Sequence, residues 1–207
     1  MTTHPHPSYT SFAGVDEAGR GPLAGPVVAA ACLIPEGIWI PDVKDSKALT
    51  AQKRKKVFKA LISCPTIVYG VGIVSHEEID EINIFQATIR AMLQAVAQLT
   101  TTPECLLVDG LNLPHPHIPC IKIIHGDAIS YPISAASIIA KETRDALMME
   151  ADLRWPEYGF AAHKGYGTAA HLKALERYGP CPIHRRTFAP VANAARDRKT
   201  CLKSSIG

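Results

Sequence analysis

The chain has 207 residues, of which 47% are hydrophobic, and its formal net charge is +3. One domain of this length can bury a full core without disulfides or a structural metal, and the small positive charge only mildly favours a polyanionic partner. The six cysteines form no Cys-x-x-Cys pair and several lie within apolar runs, so we predict buried thiols in a reducing compartment. Because no apolar run resembles a signal peptide or reaches transmembrane length, we expect a cytoplasmic protein.

The first quarter of the chain predicts a loose terminus, two strands and a helix. Histidines and prolines alternate over residues 1–10, where we expect a flexible N-terminus. One strand runs into Asp16 and a second covers residues 26–34, and the short glycine-rich turn between them favours an antiparallel hairpin. Residues 38–43 are predicted as a loop or an edge strand. A helix follows Thr50, its predicted N-cap.

Residues 53–56 place four cations in the first turns of that helix, where they oppose the helix dipole. They could form a solvated face or a patch that contacts phosphates, and the sequence leaves both interpretations open.

The rest of the chain alternates strands with helices. Strands are predicted for residues 66–74, 105–108 and 120–124. A short acidic helix, residues 75–81, precedes a long helix, and helices also cover residues 133–152 and 169–178. A basic loop at residues 184–188 leads to a short helix and a polar tail. The core stripe of the long helix is predicted to comprise Phe85, Ile89, Met92, Leu93 and Val96.

Three of the predicted strands lead into carboxylates. Asp16 and Glu17 end the first, Asp109 follows the fourth, and Asp127 comes shortly after the fifth. Partly buried carboxylates are costly unless a cation compensates them. Arg20 could compensate one acid, and a divalent ion could compensate both Asp16 and Glu17, because hard cations prefer carboxylate oxygen. A solvated turn held by an Asp–Arg ion pair is the alternative, but three such strand ends favour converging acids.

Other catalytic patterns are incomplete in this sequence. Residues 19–24 match the dinucleotide fingerprint G-x-G-x-x-A, but a strand-like run follows where that motif requires a helix. The sequence has no P-loop and no Gly-x-Ser-x-Gly motif, and Cys181 and His184 lack a second ligand pair for zinc. Converging acids suit metal-assisted phosphodiester cleavage. A non-catalytic nucleic-acid-binding module, the alternative, would have no use for them.

Ordered motifs across about residues 12–195 resemble those of type 2 ribonuclease H, the ribonuclease HII family. The matching blocks are residues 14–31, 45–47, 108–110, 126–127, 134–141, 143–145, 163–168 and 184–186. The resemblance implies an α/β fold, a ribonuclease H-like mixed β-sheet flanked by helices, with a helical C-terminal part. The catalytic domain would span residues 11–195 and the polar tail residues 196–207.

The resemblance also implies an activity and a site. The implied enzyme hydrolyses the RNA strand of RNA–DNA hybrids and cuts 5′ of ribonucleotides embedded in duplex DNA, leaving 5′-phosphate and 3′-hydroxyl ends. It would act as a monomer with two Mg²⁺ or Mn²⁺ ions. The implied metal-binding and catalytic residues are Asp16, Glu17, Asp109 and Asp127. The implied substrate contacts are Gly19, Arg20, Gly21, Lys47, Lys164, Tyr166 and Arg186. Among them, Tyr166 and the segment Gly19-Arg20-Gly21, called the glycine segment below, would sense an RNA–DNA junction.

Two positions depart from the family pattern. Ala48 follows Lys47 where relatives often carry a second basic residue, which leaves one phosphate contact open. Glu142 stands where an apolar residue is usual, so we expect that helix position to be exposed. Neither departure involves the four acids.

Overall fold

A computed structural model describes residues 9–43 and 49–204, with side chains through residue 196. Residues 1–8 of the predicted flexible terminus 1–10, the predicted substrate contact Lys47 and the departure at Ala48 lie outside the described residues. Among the described helices, none combines the length and the apolar character needed to cross a bilayer.

Five strands form one mixed sheet in the order β3-β2-β1-β4-β5. The strands are β1 Phe12–Ala18, β2 Val27–Leu33, β3 Val68–Val74, β4 Cys105–Asp109 and β5 Cys120–Ile123. β1 pairs antiparallel with β2 as predicted, β2 pairs antiparallel with β3, and β1, β4 and β5 are parallel neighbours. Residues 38–43 form a loop with turns, so the edge-strand alternative is wrong there.

Seven helices are described around this sheet. They are α1 Ala51–Ser63, α2 His76–Ala97, α3 Gly126–Ile129, α4 Tyr131–Arg154, α5 Phe160–His163, α6 Ala169–Tyr178 and α7 Ala189–Ser204. Thr50 caps α1 by accepting a hydrogen bond from Lys53 N, which confirms the predicted start. Asn83 has φ 66° and breaks α2 into the short and the long helix that the sequence predicts. α7 continues through most of the predicted polar tail.

Helix α2 covers one face of the sheet, and α4 with α1 covers the other. In the predicted stripe of α2, Met92 and Val96 are buried, and Ile89 and Leu93 pack partly against the core. Phe85 is 47% exposed, so its assignment to the core is wrong. Helical periodicity gives the direction of an apolar face, but it does not give how far the opposing surface extends.

Helix α4 approaches β1 closely at Gly14. A Cβ at this position would collide with the backbone of Pro132 and Ile133, so only glycine lets the first turn of the helix lie directly on the strand. Gly14 and Asp16 share this face of β1, because side chains alternate along a strand. The close packing therefore brings the small side chains of α4 next to Asp16.

Candidate active site

The predicted acids converge at one end of the sheet. Val15 pairs with Val108 in the parallel β1–β4 ladder, so Asp16 and Asp109 leave the sheet at the same edge. Gly126 N donates a hydrogen bond to Asp109 Oδ1 at 2.7 Å, and this contact brings the start of α3, with Asp127, to that edge. Asp16 and Asp127 are both buried.

Burial and mutual repulsion define the electrostatics of these acids. Burial raises the pKa of Asp16 well above its ordinary value, and the nearby charges of Glu17 and Asp109 raise it further, whereas a hydrogen bond with Ser137 opposes the shift. Burial also raises the pKa of Glu17, and Arg20 opposes this. Arg20 Nη1 lies 3.1 Å from Glu17 Oε1. Arg20 therefore pairs with Glu17 and not with Asp16, so the Asp–Arg alternative is wrong in its partner. Arg20 is exposed in this turn, whereas Asp16 is buried.

The donor set fits a hard divalent cation. Glu17 Oε2 is buried and has no hydrogen-bond partner among the described residues, so this carboxylate oxygen lacks the compensation that buried polar atoms normally have. Carboxylate oxygens are the ligands that Mg²⁺ and Mn²⁺ prefer. Within the described ranges, no three acidic, histidine or cysteine side chains form a group already compact enough to hold a metal ion. Repulsion between like charges opposes such closure without a cation.

A cleft of about 430 Å³ opens beside the acids. It brings together Glu17, the glycine segment and Tyr166, which are remote from each other in sequence. The lining side chains and backbone also include residues of α1 and α4. The lining residues are Glu17, Ala18, Gly19, Arg20, Gly21, Arg54, Ser137, Ile138, Lys141 and Tyr166.

Arg185 fixes the glycine segment and the turn after it through hydrogen bonds to their carbonyl oxygens. Its side chain is fully buried, and its guanidinium donates hydrogen bonds to the carbonyl oxygens of Gly19, Arg20, Gly25 and Pro26 at 2.6 to 3.1 Å. Burial lowers the pKa of Arg185 to about 9. The sequence analysis placed this residue in a basic loop. Its burial shows that its role in this fold is to fix a turn.

Arg144 of α4 supports the same turn from another side. It is buried, and it donates hydrogen bonds to the carbonyl oxygens of Ala24, Pro26 and Lys164 at 3.0 to 3.1 Å. Its contact with Lys164 O joins the glycine segment to the loop that carries Tyr166. Sequence reasoning missed this function, because a helical arginine normally indicates a solvated position.

The Tyr166 loop packs directly on the glycine segment. Leu23 N donates to Gly165 O at 2.8 Å, and a Cβ at Gly165 would lie 2.7 Å from Ala24 O. Gly165 also has φ 84°, so both its conformation and its contact require glycine. Tyr166 is 44% exposed, and its Cε1 lies 3.6 Å from where a Cβ on Gly21 would be.

Arg54 and Glu142 form a contact that the sequence analysis did not anticipate. Arg54 Nε donates to Glu142 Oε1 at 2.6 Å, and Arg54 Nη2 lies 3.7 Å from Asp145 Oδ2. Only 13% of the Glu142 side chain is exposed, so the expectation that this position is exposed is wrong. The reason is that an arginine on the neighbouring helix covers it. Lys141 also pairs with Asp145, at 2.7 Å.

Two other predicted substrate contacts do not line the cleft. Lys164 Nζ donates to Ala161 O and lies 3.5 Å from Met149 Sδ. Arg186 is exposed, and its Nη2 donates to the carbonyl oxygens of Pro180 and Cys181 at 3.3 and 3.4 Å. That Lys164 and Arg186 contact phosphate groups of the substrate therefore stays a prediction.

A mixed five-stranded sheet with carboxylates at the ends of its central strands, beside a cleft with basic side chains, defines a nuclease of the ribonuclease H-like class. The family model described as ribonuclease HII matches residues 13–191. The chain belongs to the ribonuclease HII family. It is therefore a hydrolase, an endoribonuclease that acts on RNA–DNA hybrids and depends on divalent metal ions.

Two curated relatives and one solved structure illustrate the similarity. Ribonuclease HII of Chlamydia muridarum is 57% identical over 189 residues, which cover 91% of this chain and 87% of the relative. Ribonuclease HII of Chlamydia caviae is 58% identical over 183 residues, 88% of this chain and 86% of the relative. The crystal structure of ribonuclease H2 from Pyrococcus horikoshii OT3 has a TM-score of 0.76 and 30% identity, covering 91% of this chain and 99% of that one.

Proposed function

We propose that this enzyme cuts duplex DNA on the 5′ side of an embedded ribonucleotide, in addition to the RNA strand of hybrids, and leaves 5′-phosphate and 3′-hydroxyl ends. The observation that carries the proposal is the shared cleft: Glu17, the segment Gly19-Arg20-Gly21 and Tyr166 all line it. The Glu17 carboxylate, which we propose takes part in cleavage, thus lies in the same cleft as the backbone of the glycine segment and the ring of Tyr166. The backbone and the ring can contact the sugars of the strand that is cut.

Asp16, Glu17, Asp109 and Asp127 are proposed to hold two divalent ions, Mg²⁺ or Mn²⁺. The unpartnered, buried Glu17 Oε2 and the raised pKa values of Asp16 and Glu17 support this, because each indicates negative charge that the described residues do not fully compensate. When bound, such a pair of ions supplies an activated water and stabilises the leaving oxygen. Ser137 and Gly126 N orient Asp16 and Asp109 through their hydrogen bonds.

The glycine segment is proposed to recognise the 2′-hydroxyl. That group both donates and accepts hydrogen bonds, and it is what distinguishes RNA from DNA at one nucleotide. Gly21 faces the cleft without a side chain, so a sugar can approach the backbone there. Arg185 donates hydrogen bonds to the carbonyl oxygens of Gly19 and Arg20. These contacts support a segment whose backbone is already in place for a sugar to approach.

Tyr166 is proposed to pack on the deoxyribose that follows the ribonucleotide, where the missing hydroxyl leaves room for the ring. Its partly exposed position beside Gly21 supports this. Arg20 would hold an adjacent phosphate. Lys47, Lys164 and Arg186 are proposed as phosphate contacts further along the duplex. We also propose a cytoplasmic monomer, and the five described cysteines, all free thiols, suit a reducing compartment.

The test uses a labelled DNA duplex with one ribonucleotide and a matched duplex without it. In Mg²⁺ or Mn²⁺, we expect a single cut 5′ of the ribonucleotide, no cut in the all-DNA duplex, and no cut of either in EDTA. The ends are mapped by electrophoresis against markers that carry 5′-phosphate or 3′-phosphate. Cleavage of a long hybrid without cleavage at the lone ribonucleotide would contradict the proposal and leave the family assignment intact.

A further inference from the structure

Three histidines lie beneath the Tyr166 loop. His171 and His184 are fully buried, and their Nε2 atoms are 3.0 Å apart. The ring of His163 stacks on that of His171, with centroids 4.4 Å apart and planes 13° from parallel. None of these histidines lines the cleft, and cleavage as proposed above does not use them. Buried imidazoles in contact with one another therefore require another explanation.

The neighbours of the two buried rings determine which nitrogens carry protons. His184 Nδ1 lies 3.0 Å from Cys181 N and 3.0 Å from Cys181 Sγ. The backbone N–H donates, so Nδ1 must accept, and in a neutral ring the proton is then on Nε2. That proton is donated to His171 Nε2, which leaves the proton of His171 on Nδ1. His171 Nδ1 lies 2.9 Å from Tyr166 O, an acceptor.

The resulting chain of hydrogen bonds has one direction. It runs from Cys181 N–H through His184 and His171 to the carbonyl oxygen of Tyr166. His163 has the tautomer opposite to that of His171, because its Nδ1 accepts from Gly165 N at 3.1 Å, and Nε2 therefore donates to Tyr158 O at 2.8 Å. Two histidines thus contact the backbone on either side of the bond between residues 165 and 166.

These hydrogen bonds between histidines are also connected to the glycine segment. His184 precedes Arg185, which holds Gly19 O and Arg20 O. His184 also forms an isolated antiparallel bridge with Ala24, and Arg185 N donates to Leu23 O at 2.9 Å. The glycine segment and the tyrosine are therefore connected through this pair of imidazoles, in addition to the contacts through Arg144 and between Leu23 N and Gly165 O.

We propose that His171 is a positioning residue for junction recognition: its Nδ1–H fixes the Tyr166 carbonyl, and His184 fixes His171, so that the tyrosine ring is held at a set distance from Gly19-Arg20-Gly21. The proposal rests on the proposed function of Tyr166. The histidine pair touches no substrate, and it acts only through the tyrosine. Its loss therefore affects cleavage that depends on Tyr166 more than cleavage within a long RNA stretch.

Two substitutions at one position separate the two nitrogens of His171. In His171→Asn the side-chain amide reaches the position of Nδ1 and can donate to Tyr166 O. In His171→Gln the longer amide reaches the position of Nε2, accepts from His184, and leaves Tyr166 O without that donor. Both variants replace a buried ring by a smaller amide, so a loss of packing affects both. His117→Asn, in an exposed loop, is the control for the substitution itself.

The experiment measures kcat and KM on a lone-ribonucleotide duplex and on a long hybrid. For His171→Gln, we expect kcat on the lone-ribonucleotide duplex to fall about 10-fold, as for one lost hydrogen bond, with KM and hybrid cleavage little changed. His171→Asn should retain most of the activity. Equal activity of His171→Gln and wild type on both substrates, or equal losses in both variants and on both substrates, would overturn the proposal.

A second measurement uses only the wild-type protein, so it does not depend on whether a variant folds. In the wild-type protein at neutral pH, ¹⁵N NMR of the imidazole nitrogens should report the Nδ1–H tautomer for His171 and the Nε2–H tautomer for His184. An Nε2–H tautomer at His171 would overturn the inference. Wild type and Tyr166→Ala measured in parallel separate the two proposals. If wild type cuts the lone-ribonucleotide duplex and Tyr166→Ala does not, the proposed function stands whatever the histidine variants do.

Discussion

Arg54 Nε lies 2.6 Å from Glu142 Oε1 and joins α1 to α4 beside the cleft. Both side chains are largely buried, at 17% and 13% exposure, and Arg54 itself lines the cleft. The pair explains how the chain accommodates a glutamate at a largely buried helix position. It also fixes an arginine beside the proposed path of the substrate.

Glu142→Ala should destabilise the protein. It leaves Arg54 with only the longer contact to Asp145, and breaking a largely buried ion pair costs about 1–3 kcal/mol. Glu150→Ala, at an exposed position of the same helix, is the control and should change stability by less than about 0.5 kcal/mol. Urea unfolding followed by circular dichroism measures both. Equal stability of the two variants would mean that the pair contributes nothing.

Asp109→Asn should abolish cleavage and leave duplex binding largely intact. The amide oxygen of asparagine can still accept from Gly126 N, so the local fold is kept while one negative charge is lost. We expect no recovery when Mg²⁺ is raised to several times the concentration that saturates wild type. Glu176→Gln, an exposed charge change on α6, is the control. Full activity in Asp109→Asn would remove Asp109 from the proposed metal site.

Binding of the duplex should weaken with salt because the protein neutralises phosphates. For a B-form duplex, the slope of log affinity against log salt changes by about 0.9 for each contact. Lys53 and Lys56 are exposed on α1, so the double variant Lys53→Gln/Lys56→Gln should show a shallower slope than wild type. Lys173→Gln on α6 is the control. An unchanged slope would show that the α1 lysines form only a solvated face.

Tyr166→Ala should reduce cleavage at a lone ribonucleotide much more than it reduces binding of the same duplex. The ring contributes contact with one sugar, whereas binding draws on many phosphates. Tyr166→Phe keeps the ring and should cut nearly as fast as wild type. Single-turnover rates and fluorescence anisotropy give the two quantities. If Tyr166→Ala cuts as fast as wild type, the tyrosine only packs its loop.

In EDTA, the protein should lose stability as the pH rises from about 4 towards 8. The unfolded chain ionises Asp16 at the ordinary carboxyl pKa of about 3.9, whereas the folded chain retains the proton, because burial and the charges of Glu17 and Asp109 raise its pKa. The free energy of unfolding therefore falls between the ordinary pKa and the raised one.

The variant Asp16→Asn isolates this effect. In EDTA it should melt at a higher temperature than wild type at pH 8 and near the wild-type temperature at pH 4. Added Mg²⁺ should raise the melting temperature of wild type at pH 8 more than that of Asp16→Asn, because bound metal stabilises the folded state by mass action. Identical pH profiles with and without the aspartate would contradict the raised pKa.

The sequence by itself determined the order of the elements, the hairpin of β1 and β2, and the strand ends that carry the acids. These features depend on local periodicity, turn residues and caps such as Thr50, which act over a few residues. The motif blocks also pointed to the family, because many of them occur in order over most of the chain, and the family model confirms it. A polar residue at the end of an apolar run can be recognised in the sequence without knowing how the strands pack.

Only the tertiary structure decided which charged side chains are buried and what they contact. Arg185 and Arg186 are neighbours in a basic loop, yet one is fully buried against four carbonyl oxygens and the other is exposed. Arg54 and Glu142 are 88 residues apart and cover each other. The tautomer of His171 depends on its contact with His184, a residue outside its own helix. Such partners are set by packing, and a one-dimensional pattern gives the chemistry of a side chain but not the atoms that surround it.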